Sequence, residues 1–142
     1  MQTFLPYEDF VKSAQCLDYR RLGKQRVEAW QIHQIVSGQR TTGGWINHPA
    51  VTMWRGYANA LAWYYNAMVT EWVERGYKNT MLPLKVNAGC IEMPPFVGEN
   101  AFHDSHKSNL LRKDFAFYSQ YNWQVPDNLP YIWEEGGSIY GQ

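Results

Sequence analysis

Residues 18–26 read DYRRLGKQR, and four of these nine residues are cationic. The stretch begins the clearest helical pattern in the chain. From Leu17 to about Val36, apolar residues such as Leu22 and Ala29 recur on one side, as in a helix that buries one face. The stretch therefore predicts a long helix with a buried side and a basic side.

The basic side gathers its charges into an arc of about 100° at helical rotation. Its members are Arg20, Arg21, Lys24 and Glu28. Guanidinium groups bind phosphate through paired hydrogen bonds, and a lysine adds a mobile point charge. The alternative is a solvated face on which Glu28 pairs with Arg21 or Lys24. Arg26 lies off the arc, but we include it among the expected phosphate contacts.

Gly23 interrupts the same helix at a cost of about 1 kcal/mol relative to alanine. Two interpretations fit a glycine at this place. It permits the close approach of another backbone or a ligand, or it is a tolerated imperfection.

The composition suits one globular domain, which we expect to span residues 1–142. Thirteen Lys and Arg balance thirteen Asp and Glu, which argues against nucleic-acid binding over the whole surface. Between residues 20 and 55, however, six cations accompany one acid, Glu28. Aromatic residues make up 16% of the chain, and they suit either a core or stacking platforms for exposed bases.

The N-terminus lacks the charged start and long apolar run of a signal peptide. No stretch approaches the roughly 20 apolar residues that a membrane-spanning helix needs. We expect a cytoplasmic monomer that makes no membrane contact and uses no cofactor.

The rest of the chain predicts an all-α fold of three principal helices joined by long wrapping loops. The second helix runs from Pro49 to about Arg75, with Asn47 or His48 as its cap and a bend near Gly56. The third runs from about Ala101 to Arg112, with Asn100 as a possible cap. Residues 77–100 wrap the core, and Tyr131 and Trp133 in the extended tail pack onto the body.

Two further patches carry groups suited to phosphate or base contact. His103, His106 and Lys107 share one helical face, and we expect phosphate or base contact there rather than a metal. His48 and Arg55 lie near the start of the second helix, where an anion is favoured. The alternative for this second patch is an aromatic corner of the core.

Six segments, taken in order, resemble the pyrimidine-dimer DNA glycosylase family, which includes phage endonuclease V. They are MQTFLPY, LDYRRLGKQRVEAWQI, GWINHPAVTMWRGY, EWVERGYKNTM, HDSHKSNLLRK and PDNLPYIW. The resemblance covers most of residues 1–135. It implies a compact helical fold and a glycosylase that acts on damaged or modified bases in double-stranded DNA.

The resemblance also implies a mechanism. An N-terminal α-amine attacks the sugar C1′ and forms a Schiff base, a helix carboxylate assists, and β-elimination breaks the strand. An α-amine suits this reaction because its ordinary pKa of about 7.7–8.0 leaves a useful neutral fraction. A nucleotide is flipped out of the stack to reach the site.

Carried over by residue, Tyr19, Arg20 and Leu22 match the family pattern, whereas Arg21 stands where the family has its catalytic Glu. Glu28 lies two turns further along the same face and is the proposed substitute carboxylate. Because the bulky Gln2 disfavours removal of Met1, the amine of Met1 is the expected nucleophile. The expected DNA-binding residues are Arg20, Arg21, Lys24, Arg26, His48, Arg55, His103, His106 and Lys107.

Two other functions remain open from the sequence. One is a DNA-binding module on the same scaffold that has lost or changed its chemistry. The other is an enzyme that acts on a different nucleic-acid or nucleotide substrate.

Overall fold

The computed structural model describes residues 1–135 and 138–141. Within them the fold is helical, which confirms the predicted all-α class with three principal helices. The helices are α1 (Phe10–Cys16), α2 (Tyr19–Val36), α3 (Pro49–Thr52), α4 (Ala58–Glu74), α5 (Asn100–Lys113) and α6 (Phe115–Tyr118). The longest are α2, α4 and α5, with 18, 17 and 14 residues.

A small hairpin, which the sequence did not predict, follows the helices. Strands β1 (Ile132–Glu135) and β2 (Ser138–Gly141) pair antiparallel. The predicted packing of the tail is confirmed, because Trp133 on β1 is buried and Tyr131 lies half-buried just before it. Strand β1 therefore packs onto the helical body, against α3 and α5.

Helix α2 begins and ends where its sequence provides caps. The Asp18 carboxylate accepts a hydrogen bond from the Arg21 N–H at 3.4 Å. At the other end, Gly38 adopts a positive φ of 85°, which a glycine tolerates without strain. The face between the caps buries Leu22, Gln25, Ala29, Ile32 and Ile35.

The predicted second helix is wrong in one respect, because two helices replace the single bent one. Helix α3 ends at Thr52, and α4 starts at Ala58. Gly56 between them has a φ of 87°, which is outside the helical region. The prediction of a cap is resolved in favour of His48, whose Nδ1 accepts the Ala50 N–H at 3.0 Å.

Helix α5 also differs at its start. Asn100 was the predicted cap, but it is the first residue of the helix, and Glu99 precedes it without a side-chain capping bond. The face of α5 toward the body is unusually polar, because Ser105, Ser108 and Asn109 are buried together with the apolar Phe102.

Gly23 marks the place where α2 packs closely on α4. A Cβ atom at Gly23 would lie 2.9 Å from Cζ3 of the Trp72 ring, closer than real Cβ contacts allow. The close approach is therefore to an aromatic side chain and not to another backbone. Any larger residue would force Trp72 to shift, which favours a packing role for Gly23 over a tolerated imperfection.

The long connection between α4 and α5 is held along α4 by side-chain hydrogen bonds to its backbone. Asn66 binds both the N–H and the carbonyl of Leu84, at 2.8 and 2.7 Å. Tyr65 donates to the Leu82 carbonyl at 2.7 Å.

In the described part of the chain, no helix has the length and apolar character to cross a bilayer.

Candidate functional site at the N-terminal pocket

The N-terminal segment is buried and extended, and side chains hold its backbone. Residues 2–6 are all buried. The Gln25 amide donates to the Gln2 carbonyl at 2.9 Å and accepts the Phe4 N–H at 2.9 Å. The Tyr64 hydroxyl lies 2.8 Å from the Phe4 carbonyl and 2.7 Å from Gln25 Oε1. The position of the chain start is therefore fixed by α2 and α4.

Two histidines of α5 hold the next residue in the same way. The Leu5 N–H donates to Nδ1 of His106 at 2.8 Å. His103 accepts the Gly98 N–H on Nε2, so its Nδ1 carries the proton that it donates to the Leu5 carbonyl at 2.7 Å. We call Gln25, Tyr64, His103 and His106 the N-terminal clamp.

Burial keeps the clamp histidines neutral. It lowers the pKa of His106 to about 3 and also lowers the pKa of His103. Their relative exposures are 0% and 5%. The prediction that these two histidines contact DNA is wrong, because both rings are buried and hydrogen-bonded to the Leu5 backbone.

The clamped segment forms the floor of an open pocket of about 380 Å3, which we call the N-terminal pocket. Three parts of the chain line it: the N-terminus, the basic side of α2, and the region from the end of α5 to β1. The lining residues are Met1, Gln2, Phe4, Arg20, Arg21, Lys24, Gln25, Glu28, Lys113, Tyr131 and Trp133. The predicted nucleophile, the predicted carboxylate and three predicted cations thus share one cavity.

Glu28 lies directly beside the chain start. Its Oε1 accepts the Gln2 N–H at 3.2 Å. In the described residues, the ion pairs within 4.0 Å do not include Glu28, so it pairs with neither Arg21 nor Lys24. The alternative of an intrahelical ion pair for this carboxylate is wrong. A half-buried carboxylate next to a chain terminus remains available for chemistry at the amine.

One wall of the N-terminal pocket is cationic. Arg20, Arg21 and Lys24 of α2 supply it, together with Lys113 from the last residue of α5. Burial and the charges of Arg21, Arg112 and Lys24 lower the pKa of Lys113. Such mutual repulsion indicates a concentrated positive potential, which attracts phosphate.

Another part of the pocket lining is aromatic. The Tyr131 ring packs against the rings of Phe4 and His106, with centroids 6.3 and 5.8 Å away. Trp133 lies 5.7 Å from Tyr131. Burial raises the pKa of Tyr131 to about 12, so its hydroxyl stays protonated. The wall therefore offers flat, uncharged rings beside the cations.

His48 supports this wall from behind. Its ring packs edge-on against Trp133 at 5.9 Å. Burial and the positive charge of the chain start lower the pKa of His48. His48 is thus near the site but is not among the residues that line the pocket.

The remaining predicted DNA contacts lie elsewhere. Arg26 donates to Asn79 Oδ1 at 2.6 Å and lies 4.1 Å over the Trp72 ring. Arg55 donates to the Ile46 carbonyl at 2.9 Å. Lys107 lies 3.9 Å from Asp104, with its Nζ 5.2 Å from the centre of the Tyr7 ring.

Six lining residues were missed as site residues: Gln2, Phe4, Gln25, Lys113, Tyr131 and Trp133. Tyr131 and Trp133 were predicted to pack onto the body as part of the extended tail, but not to line a site. No local pattern places the end of α5 and the tail beside α2.

Among the described residues, no group of three His, Cys, Asp or Glu is arranged to hold a metal ion.

Fold and site together define a class: a small helical protein that builds a cationic pocket around its own N-terminus. A family model described as pyrimidine dimer DNA glycosylase matches residues 1–83. Because the match covers more than half of the 142 residues, the chain belongs to this family. Searches of the curated proteins and of the solved structures each found no match.

The family match covers one part of the site and not the other. It contains Met1, all of α2 and Tyr64, and therefore the carboxylate, three of the cations and half of the N-terminal clamp. It ends before α5, so Lys113 and the aromatic tail lie beyond it.

Proposed function

We propose that this protein is a DNA glycosylase and AP-lyase that acts on damaged or modified pyrimidines in double-stranded DNA. The α-amine of Met1 is the nucleophile, and Glu28 is the assisting carboxylate. One observation carries the proposal: Glu28 binds the backbone of Gln2, one residue from the chain start, inside a pocket with a cationic wall.

The N-terminal clamp supports a chemical role for the chain start. A terminus with no function is commonly left disordered, because ordering it costs conformational entropy. Here the backbone groups of Gln2, Phe4 and Leu5 are bound by buried side chains of three helices. Such fixed placement is what a nucleophile needs in order to meet a reacting carbon in the correct orientation.

The reaction proceeds in two stages. The neutral amine attacks the sugar C1′, the bond from C1′ to the base breaks, and the base leaves with a proton. The amine nitrogen gives up one of its two protons, which the departing base takes. The C1′–O4′ bond then breaks, O4′ is protonated by solvent, and the nitrogen keeps its second proton as a protonated Schiff base. The carboxylate of Glu28 stabilises this cation. It then accepts a proton from C2′, and the bond from C3′ to its phosphate oxygen breaks by β-elimination.

The pocket walls suit a nucleotide that has left the stack. Arg20, Arg21, Lys24 and Lys113 supply phosphate contacts, which fix the position of the backbone without reading its sequence. The half-buried ring of Tyr131 suits stacking with an extruded base, and the buried rings of Phe4 and Trp133 support it from within the fold. The proposed DNA contacts of Arg26, His48, Arg55 and Lys107 lie outside the pocket and are reached only by a longer duplex.

The test uses a duplex that contains a single abasic site, with sodium borohydride to trap the Schiff base. Glu28→Gln is compared with Glu74→Gln, which changes a remote exposed carboxylate near the end of α4. We expect the wild type and Glu74→Gln to form the adduct and cleave the strand. Glu28→Gln should lower the cleavage rate by at least about 100-fold, the low end for loss of a general base.

Full activity of Glu28→Gln would eliminate this carboxylate from the mechanism. Reversible DNA binding with neither adduct nor cleavage would instead identify a DNA-binding module. That outcome would fit the presence of Arg21 where the resemblance places a catalytic Glu. Cleavage of duplexes that carry different pyrimidine lesions would then define the substrate.

A further inference from the structure

Asp18 makes more contacts than a helix cap needs. Its carboxylate accepts the Arg21 N–H at 3.4 Å, binds Arg21 Nη1 at 3.1 Å, and accepts a hydrogen bond from the Tyr118 hydroxyl. The Asp18 N–H donates back to the same hydroxyl at 3.0 Å. Asp18 is only 7% exposed, and Tyr118 on α6 is completely buried.

The other aspartate caps of this protein provide the comparison. Asp9 caps α1 through the Lys12 N–H, and Asp114 caps α6 through the Phe117 N–H. Asp9 is exposed and Asp114 half-exposed, and neither forms an ion pair among the described residues. Capping alone therefore does not require burial, a tyrosine partner and an arginine partner.

The charge state of Asp18 fits a firm contact with Arg21. Burial by itself would raise the pKa of this carboxyl group, but the hydrogen bonds from Tyr118 and Arg21 and the Arg21 charge outweigh burial and lower it. Burial and the bond to Asp18 raise the pKa of Tyr118, so its hydroxyl keeps its proton. The Asp18 carboxylate is therefore ionised and held in place by Tyr118, and it forms an ion pair with the Arg21 guanidinium.

That guanidinium belongs to a residue of the N-terminal pocket. Arg21 lines the cavity with its side chain 25% exposed. An unrestrained arginine on this face would have Glu28 as a competing partner, since both residues line the same cavity. Asp18 instead binds one edge of Arg21 and leaves Glu28 beside the chain start.

We propose that Asp18 and Tyr118 form a positioning pair that fixes the Arg21 guanidinium for contact with a DNA phosphate. This proposal rests on the proposed function, because it assigns the N-terminal pocket to DNA. The pair does not touch the DNA, and it acts through Arg21.

The test is DNA affinity in a double-mutant cycle of Asp18→Asn and Arg21→Ala. Asparagine keeps the helix cap and removes the charge. Removal of an acid beside a cationic surface would by itself tighten DNA binding. The positioning role predicts the opposite effect on DNA affinity. Asp18→Asn should weaken DNA binding about tenfold, as expected for loss of one charged hydrogen-bonded contact. In the Arg21→Ala background, Asp18→Asn should no longer weaken binding.

Asp9→Asn is the matched control, because it makes the same change at a helix cap outside the pocket. We expect it to leave DNA affinity unchanged. Tighter binding of Asp18→Asn, or equal weakening in both backgrounds, would overturn the proposal. If Arg21→Ala itself binds DNA as the wild type does, the phosphate contact of the proposed function fails.

A second measurement needs no DNA and separates the two failures. Nuclear magnetic relaxation of the Arg21 Nε–Hε group reports the order of that side chain in the free protein. Tyr118→Phe and Asp18→Asn should both increase its motion, while the Arg26 group serves as an internal reference. Unchanged order of Arg21 in either variant would overturn the positioning role, whatever the protein binds.

Discussion

Replacement of Gln25 by methionine tests whether the N-terminal clamp positions the chain start. Methionine fills a similar volume but makes none of the three hydrogen bonds of this buried amide. The Phe4 N–H and the Gln2 carbonyl would lose their partners, at about 1–3 kcal/mol for each buried group. We expect a total loss near the lower end, about 3 kcal/mol, because water in the adjoining pocket replaces part of the bonding.

Two assays separate stability from positioning. Thermal unfolding should show a Tm about 10 °C lower for Gln25→Met. Well below that temperature, borohydride trapping on abasic DNA should slow about 100-fold, since small misplacements of reacting groups have effects of this size. Both measurements are made on the same folded preparations.

Asn66→Leu is the matched control for Gln25→Met. Asn66 binds the Leu84 backbone at both amide positions, so its loss destabilises a chain segment in the same manner. Asn66 is not among the residues that line the N-terminal pocket, so the trapping rate of Asn66→Leu should equal that of the wild type. A trapping rate for Gln25→Met within twofold of the control would refute the view that the clamp positions the amine.

Three further predictions concern pH, packing and charge. The unfolded state binds a proton on His106 near pH 6.5, whereas the folded state binds it only near pH 3. Stability should therefore fall with decreasing pH across that window, by up to about 1.4 kcal/mol per unit from this residue, and His106→Gln should reduce the slope. Gly23→Ala should lower the free energy of unfolding by roughly 1–2 kcal/mol, because the clash with Trp72 exceeds the helix-propensity gain; stabilisation would contradict the close packing. Lys24→Ala should reduce the salt slope of DNA binding by about 0.9, and an unchanged slope would show that the pocket is not the DNA-facing surface.

The basic arc of α2 was predictable because helical geometry is local. A rotation of about 100° per residue places Arg20, Arg21, Lys24 and Glu28 on one side whatever else the chain does. The structure confirms that these four residues line one pocket. The roles assigned to them remain predictions.

The error at His103 and His106 has a physical cause. Polar residues at helical spacing usually indicate a solvated face, and α5 carries Ser, Asn and His on the side that it buries. The N-terminal segment covers that side and supplies the hydrogen-bond partners that make burial of the histidines possible. Nothing local to α5 indicates which distant segment will pack on it.

Lys113 and the hairpin illustrate the same limit. Lys113 and Trp133 line the pocket only because α5 and β1 pack beside α2, which lies about a hundred residues earlier in the chain. The burial of Gln2 and Thr3 was also missed, since polar residues near a terminus are ordinarily exposed. Long-range packing, and not helix formation, decides these features.

The most direct test of the account is the identity of the residue that becomes bonded to DNA. After borohydride trapping on abasic duplex and digestion, mass spectrometry locates the sugar adduct in the peptide map. The account predicts the adduct on the α-amine of Met1, with Met1 retained. An adduct on a lysine side chain, such as Lys24 or Lys113 of the pocket, would contradict the central claim.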